Sequence, residues 1–377
     1  MTGILLLLAG LAAGAERPAL SLPVRIQPLH ADPYHLQVDG DQVYVSGFHA
    51  QKLVTLTAGR KKPARELPLD AFEDYRADPA GREVREVRRA AGGDLALAAG
   101  KLFVAQVFQG SVLVVDRPTF TPVRRLPLGG DGCLAASPDG KTVYYARNTE
   151  PEFYVIDTKN YQHRAVAYPA DCRGIGCLAV SPDGKRLYVG IQRGGKAAGE
   201  NAVLAAYDLE KGAYAGTAVL GRRKEGTPDP GMPFSLAFAP DGKRIYVGTF
   251  QSESGVLVVD PQKMEQVDYI YFGSKRQTPP FPWVDPMGVA MFDRWLLVAV
   301  RHNQEVVAIE LASHRVVARF SQDPAVTYKR VVVAGDRVFL AGESSALVVV
   351  KAKDLSRLLS AVDVCETGPV QVMLVKR

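Results

Sequence analysis

The stretch Val180-Ser181-Pro182-Asp183-Gly184-Lys185-Arg186-Leu187-Tyr188-Val189 decides the fold of this chain, because it recurs. Ala136-Ser137-Pro138-Asp139-Gly140-Lys141-Thr142-Val143-Tyr144-Tyr145 lies upstream of it, and Ala239-Pro240-Asp241-Gly242-Lys243-Arg244-Ile245-Tyr246-Val247 lies downstream. Each copy reads as an apolar strand, a tight turn and a second apolar strand. Pro presets φ at one corner, the Asp side chain caps the turn, and Gly takes the positive φ. A hairpin that returns every roughly 40–60 residues predicts an all-β radial array, a β-propeller.

Working outward, the second strand of the hairpin has counterparts at Val43-Tyr44-Val45, Leu102-Phe103-Val104, Leu296-Leu297-Val298 and Val338-Phe339-Leu340. With the three full copies this predicts seven four-stranded antiparallel blades. Tight turns precede the additional copies at Asp39-Gly40, Ala99-Gly100, Asp293-Arg294 and Gly335-Asp336. Apolar third strands ending in an acid follow, as at Val112-Leu113-Val114-Val115-Asp116, and then a more polar fourth strand, as at Val123-Arg124-Arg125-Leu126. Continuous apolar runs on the inner strands suit burial between neighbouring blades. Strand-like segments at 22–26 and 370–374 fall outside the regular count, and pairing of the two termini is expected to close the ring. An incomplete eighth blade is the other reading of these ends. Residues 354–361 read as a short helix.

The chain has 377 residues, 47% hydrophobic and 23% charged, which suits one large repeat domain. Residues 4–13 are apolar and Ala13-Gly14-Ala15 follows, so 1–15 reads as a secretory signal peptide and 16–377 as a single propeller domain. The expected location is periplasmic or extracellular. No later segment reaches about 18 uninterrupted apolar residues, so no transmembrane segment is expected. The net charge of +6 is mild for this length and does not call for a nucleic-acid partner. Of the four cysteines, Cys133 and Cys177 hold matching places in neighbouring repeats, and Cys172 lies close to Cys177. With Cys365 they are disulfide candidates in an exported chain. There is no Cys-x-x-Cys-His, His-Glu-x-x-His, Gly-x-Ser-x-Gly or Walker loop. The chain therefore carries no signature of covalent haem, and neither a metal nor another cofactor is expected in it.

Ser181-Pro182-Asp183-Gly184-Lys185-Arg186-Leu187-Tyr188-Val189, with strands ending in Val155-Ile156-Asp157, resembles the YVTN-type family of seven-bladed propellers, most closely from Cys133 to Asp260. The resemblance implies export and binding without catalysis. Relatives in the same superfamily include lactonases that open 6-phosphogluconolactone and the heavy subunits of periplasmic amine dehydrogenases. Lactonase relatives carry His-Pro where this chain has Ser-Pro or Ala-Pro.

Propeller geometry places the Pro-Asp-Gly turns on one face. Second-to-third-strand loops and blade connectors open on the other, which also receives the insertions near 59–93, 193–201, 221–232 and 272–287. Insertions gathered on one face mark the binding face of a repeat array. Three and four residues after each Tyr-Val position stand His49, Phe108, Asn148, Gln192, Arg193, Phe250, Gln251, Arg301, His302 and Glu343, and the connectors add His35, Arg173, Lys329 and Arg330. This predicts a basic, partly aromatic funnel for a small anionic or polar ligand or a partner protein. Phe281 and Trp283, in a proline-stiffened stretch, are the candidate lid or partner contact. If the chain is an enzyme, His302 is the acid/base, with Arg301 beside it and Glu343 as its orienter. The alternatives to a binding protein are a lactonase-type hydrolase and a subunit of a periplasmic redox complex whose partner carries the cofactor.

Overall fold

The Pro-Asp-Gly turns form as their chemistry requires. Asp139 Oδ1 accepts from Ser137 Oγ at 2.7 Å and from the Lys141 amide at 3.0 Å. Asp183 repeats this arrangement. Gly140, Gly184 and Gly242 sit at φ of 68°, 71° and 68°, where a side chain is disfavoured. Around these hairpins, the computed structural model describes residues 20–29, 33–58, 60, 64–77, 83–129, 132–147, 150–169, 174–191, 202–221, 231–250, 255–272, 284–322, 326–342, 346–363 and 369–376.

The chain opens with β1 (Leu20–Pro28) and continues into β2–β5 (Pro33–Asp39, Gln42–Gly47, Lys52–Thr57, Arg65–Pro68). A ribbon, β6 and β7 (Ala71–Ala77, Glu83–Arg89), precedes β8–β11 (Ala91–Ala98, Lys101–Val107, Ser111–Asp116, Thr121–Leu126). Next come β12–β15 (Gly132–Ala136, Thr142–Arg147, Glu152–Asp157, His163–Ala167) and β16–β19 (Ile175–Val180, Arg186–Ile191, Val203–Asp208, Ala213–Val219). They are followed by β20–β23 (Met232–Phe238, Ile245–Phe250, Gly255–Asp260, Glu265–Tyr271) and β24–β27 (Pro286–Phe292, Trp295–Val300, Glu305–Glu310, Val316–Gln322). The chain ends with β28–β30 (Tyr328–Ala334, Arg337–Gly342, Ala346–Lys351), α1 (Ala352–Asp363) and β31 (Val370–Lys376).

Five of these groups are separate four-stranded antiparallel sheets. The β6–β7 ribbon stands as a two-stranded sheet, and the other strands share a nine-stranded sheet of order β24-β25-β26-β27-β31-β1-β30-β29-β28. The first strands of successive groups pack side by side in the order β2, β8, β12, β16, β20, β24, β28, and β28 packs against β2. The arrangement is therefore a β-propeller ring. The two terminal strands pair in parallel, Leu20 opposite Val372, and β31 runs parallel to β27 while β1 lies antiparallel to β30. This covers edges that would otherwise be open.

The core lies between sheets rather than at one centre. Tyr44, Leu53, Leu102 and Val104 pack between the β2 and β8 sheets, and Leu204, Ile245 and Val247 between the β16 and β20 sheets. Second and third strands are accordingly buried almost throughout, whereas the outer strand β11 is exposed over its first five residues. The helix is longer than 354–361. Leu355, Leu358, Leu359 and Val362 recur at helical spacing and bury against a cluster that includes Leu22, Val317 and Leu374. The 59–93 insertion contains β5, the outer strand of its sheet, followed by a segment that pairs with itself. Its middle is the β6–β7 hairpin, and β8 already begins at Ala91. Among the described residues no helix is long and apolar enough to cross a membrane.

Candidate functional site

Most first strands carry a β-bulge near their start. Register shifts fall at Pro33/His35, Gly92/Leu95, Ile175/Cys177, Pro233/Ser235, Pro286/Gly288 and Tyr328/Arg330. A bulge re-aims the side chains around it. Here it creates a tier in which His35, Asp94, Cys133, Cys177, Ser235, Gly288 and Arg330 occupy equivalent places at the ring's inner rim.

Within the tier, side chains reach to the neighbouring sheet. Cys133 Sγ donates to the Gly176 carbonyl at 3.2 Å, and Asp94 Oδ2 accepts from the Leu134 amide at 2.9 Å. Ser235 Oγ donates to the Met287 carbonyl and accepts from the Val289 amide at 3.2 Å. His35 Nδ1 lies 3.0 Å from Asp94 Oδ1 and 3.1 Å from an Arg330 Nη2. The tautomer decides whether it donates to the carboxylate or accepts from the guanidinium.

Arg330 has the longest reach. It starts on β28, touches His35 on β2, and lays its guanidinium over Phe234 on β20 with Cζ 4.4 Å from the ring centroid. The intervening strand β24 supplies Gly288 at this level. A Cβ there would stand 2.9 Å from Arg330 Cα and 2.6 Å from the Lys329 carbonyl, so the missing side chain makes room for the β28 bulge. Arg330 thus crosses the mouth of the ring. Its Nε is buried without a hydrogen-bond partner, and its guanidinium makes no ion pair among the described residues.

Burial and the Arg330 charge hold the His35 pKa below its ordinary value, against the pull of Asp94, with Lys329 adding to the depression. Burial works to raise the Asp94 pKa, but the charge and hydrogen bond of His35, with Arg330 and the Leu134 amide, outweigh it and keep the carboxyl below its usual range. Burial pushes the Cys177 thiol up to about 12 and Cys133 well above its ordinary value. Neither is a nucleophile at neutral pH. Both are free thiols, so the pairing of Cys133 with Cys177 that their matching positions allowed is not formed. Cys133 instead points at the Gly176 carbonyl. Cys172 and Cys365 lie outside the described residues.

The depressed His35 pKa has a consequence for stability. The folded state binds fewer protons there than the unfolded chain, whose value is near 6.5. The contribution is therefore complete above that pH and is lost as pH falls below it, by at most about 1.4 kcal/mol per unit. Melting temperatures at pH 7.5 and 5.5 are expected to fall more for the native protein than for His35→Gln. Equal falls would show that His35 is not held neutral by Arg330, Lys329 and its burial.

Arg301 and His302 form a separate cluster. His302 Nε2 lies 3.1 Å from Asp285 Oδ2, and Arg301 Nη1 lies 3.6 Å from the same oxygen. Asp285 is buried, at φ 55°, and its carbonyl accepts from the Arg301 and Met287 amides. The partner that the structure places beside His302 is thus Asp285, two residues beyond Trp283. Glu343 lies outside the described residues, as do Asn148, Arg173, Gln192, Arg193, Gln251, Phe281 and Trp283. His49 and Phe108 are exposed, and Phe48 bridges them with ring centroids 5.2 Å and 5.7 Å away. The Phe250 ring centroid lies 6.1 Å from that of Phe234, the ring under Arg330. Among the described residues no three of His, Cys, Asp and Glu converge as metal ligands would.

The Pro-Asp-Gly face is not closed. It holds a cavity of about 570 Å³ lined by Gln37, Asp39, Arg117, Ser137 and Asp139 among others. Its charged groups are already engaged, Arg117 with Asp39 and Asp139 with Ser137 and Lys141. The tier at the other end has an arginine with unused donors, so it is the stronger candidate.

Sequence register pointed to His35, Lys329, Arg330 and Phe250, but not to Asp94, Phe234 or Asp285. Alignment on the second strand led to rim loops, whereas the axial groups stand at the starts of the first strands. The repeated place of these residues near the start of each first strand was the available signal.

No family model matches the chain, and no curated protein matches it. A chain in the solved structure of Kuenenia stuttgartiensis hydrazine synthase is similar, with a TM-score of 0.66 and 19% identity over 91% of this chain and 99% of that one. At this identity the likeness shows the fold alone, and it supports the propeller architecture. As 1322 solved chains match in all, the fold does not select a function.

Proposed function

We propose that this chain is an exported, non-catalytic seven-bladed propeller that binds a small anionic ligand at the axial mouth opposite the Pro-Asp-Gly turns. The count of seven takes the nine-stranded sheet as two blades bridged by β31 and β1. The observation that carries the ligand reading is Arg330, a guanidinium laid across the mouth with its Nε buried and unpartnered among the described residues. A buried donor left without a partner is unfavourable, and an anion would satisfy it. Arg301 and His302 are tied to Asp285, which supports reading them as a pin between a connector and a loop. The similarity to a hydrazine synthase chain is compatible with the redox-complex alternative, in which a partner would hold the cofactor.

The test uses the mature protein recovered from cells, with its N-terminus expected at Glu16. Titration calorimetry with sodium acetate, benzoate and phosphate is expected to detect binding of at least one anion. Affinity should fall with added salt and drop about a hundredfold or more in Arg330→Met, as for a desolvated charge pair with one partner removed. Absence of binding by every anion overturns the proposal.

A further inference from the structure

We infer that the ligand of the Arg330 site is a planar monocarboxylate with a flat apolar body, an inference that rests on the anion-binding reading above. The first argument is geometric. With Cζ 4.4 Å above the Phe234 centroid, the guanidinium is committed on one face. Its N–H groups radiate in its own plane, so the partner must meet them edge-on. Among the described residues Nη2 has one hydrogen-bond contact, to His35 at 3.1 Å, and Nε has none. A carboxylate is flat, and its two oxygens match two parallel N–H groups of arginine. A tetrahedral oxyanion fits the same edge but projects further oxygens out of the plane, toward the aromatic face.

The second argument is charge. Arg330 brings a positive charge to the tier, and the Asp94 carboxylate stands 3.0 Å from His35, the group that Arg330 touches. A dianion would be repelled by that carboxylate more strongly than a monoanion, and partial burial makes the repulsion stronger than in water. The third argument is the wall. Phe250, at the end of β21, stands with its ring centroid 6.1 Å from that of Phe234, so the ring beneath the guanidinium is flanked by a second aromatic that offers an apolar surface to the body of the ligand.

The deciding measurement is competitive titration calorimetry on the mature native protein with sodium benzoate, sodium acetate, inorganic phosphate and neutral benzamide. Benzoate is expected to bind more tightly than acetate, at least about tenfold more tightly than phosphate, and benzamide is expected not to bind. Arg330→Lys keeps the charge but loses the paired N–H geometry, and should weaken benzoate about tenfold or more. Phosphate binding at least as tight as benzoate, and lost in Arg330→Met, would overturn the carboxylate assignment while leaving the anion site standing. Binding by none of the anions overturns both. The ranking of ligands on the native protein decides the matter even if a variant folds poorly.

Discussion

Replacing Gly176 with alanine is expected to destabilise the protein by about 3 kcal/mol or more, at the upper end of what overpacking costs. Gly176 is the bulged residue of β16, and it stands close against the main chain of β20. A Cβ built on it would lie 1.6 Å from the Pro233 carbonyl oxygen and 2.8 Å from the carbonyl carbon of β20. These are main-chain atoms, which cannot rotate aside, so one sheet has to shift against the next. On its other side the Gly176 carbonyl accepts from Cys133 Sγ, and a shift would strain that contact as well. Gly242→Ala is the matched control. Its φ is 68° and nothing lies within 4 Å, so the penalty is confined to backbone conformation, about 1–2 kcal/mol. Urea unfolding of both variants is the measurement. A Gly176→Ala protein no less stable than Gly242→Ala would mean that the sheets do not meet this closely.

Arg319→Met is expected to cost about 3–5 kcal/mol, the range for removing one member of a buried ion pair. Arg319 Nη1 lies 2.5 Å from Glu305 Oε1, and Nη2 donates to the Phe272 carbonyl at the end of β23. Glu305 and Arg319 are both buried, and Asn303 Nδ2 donates to the same carboxylate oxygen at 3.1 Å. Methionine fills much of the arginine's volume but leaves Glu305 without the Arg319 cation and Phe272 without that donor. Adding Glu305→Gln removes the buried charge, so the double variant should recover part of the loss. Denaturant midpoints for the single and double variants supply the comparison. A single variant within about 1 kcal/mol of the native protein would mean that water reaches this carboxylate.

The hairpins were legible because their information is local. Pro138-Asp139-Gly140 and its copies specify a turn through one fixed φ, one capping carboxylate and one positive φ, and these act over a few residues. The apolar runs of the second and third strands were legible for a related reason, since a strand between two sheets is buried on both faces and shows no alternation. The 71–89 segment was not read as a hairpin. Its sequence, Ala-Phe-Glu-Asp-Tyr-Arg-Ala and Glu-Val-Arg-Glu-Val-Arg-Arg, is rich in charge and lacks the long apolar runs of the other strands.

The candidate site was legible in part. His35, Lys329 and Arg330 announced themselves as basic groups in connectors, and Phe250 as an aromatic at a repeated register. Asp94 and Phe234 did not, because their roles depend on strands far apart in the chain. Arg330 meets Phe234 from 96 residues away and His35 from 295.

By itself, then, the sequence determined a radial array of antiparallel hairpins and the face on which the tight turns lie, because turn chemistry and burial pattern are properties of neighbouring residues. Only the tertiary structure decided the parallel register in which the two ends pair, that bulges align a ring of side chains at the mouth, and that Arg330 crosses it to Phe234. Those outcomes depend on closure of the ring, which brings the first and last sheets together and turns residues distant in sequence into one electrostatic environment.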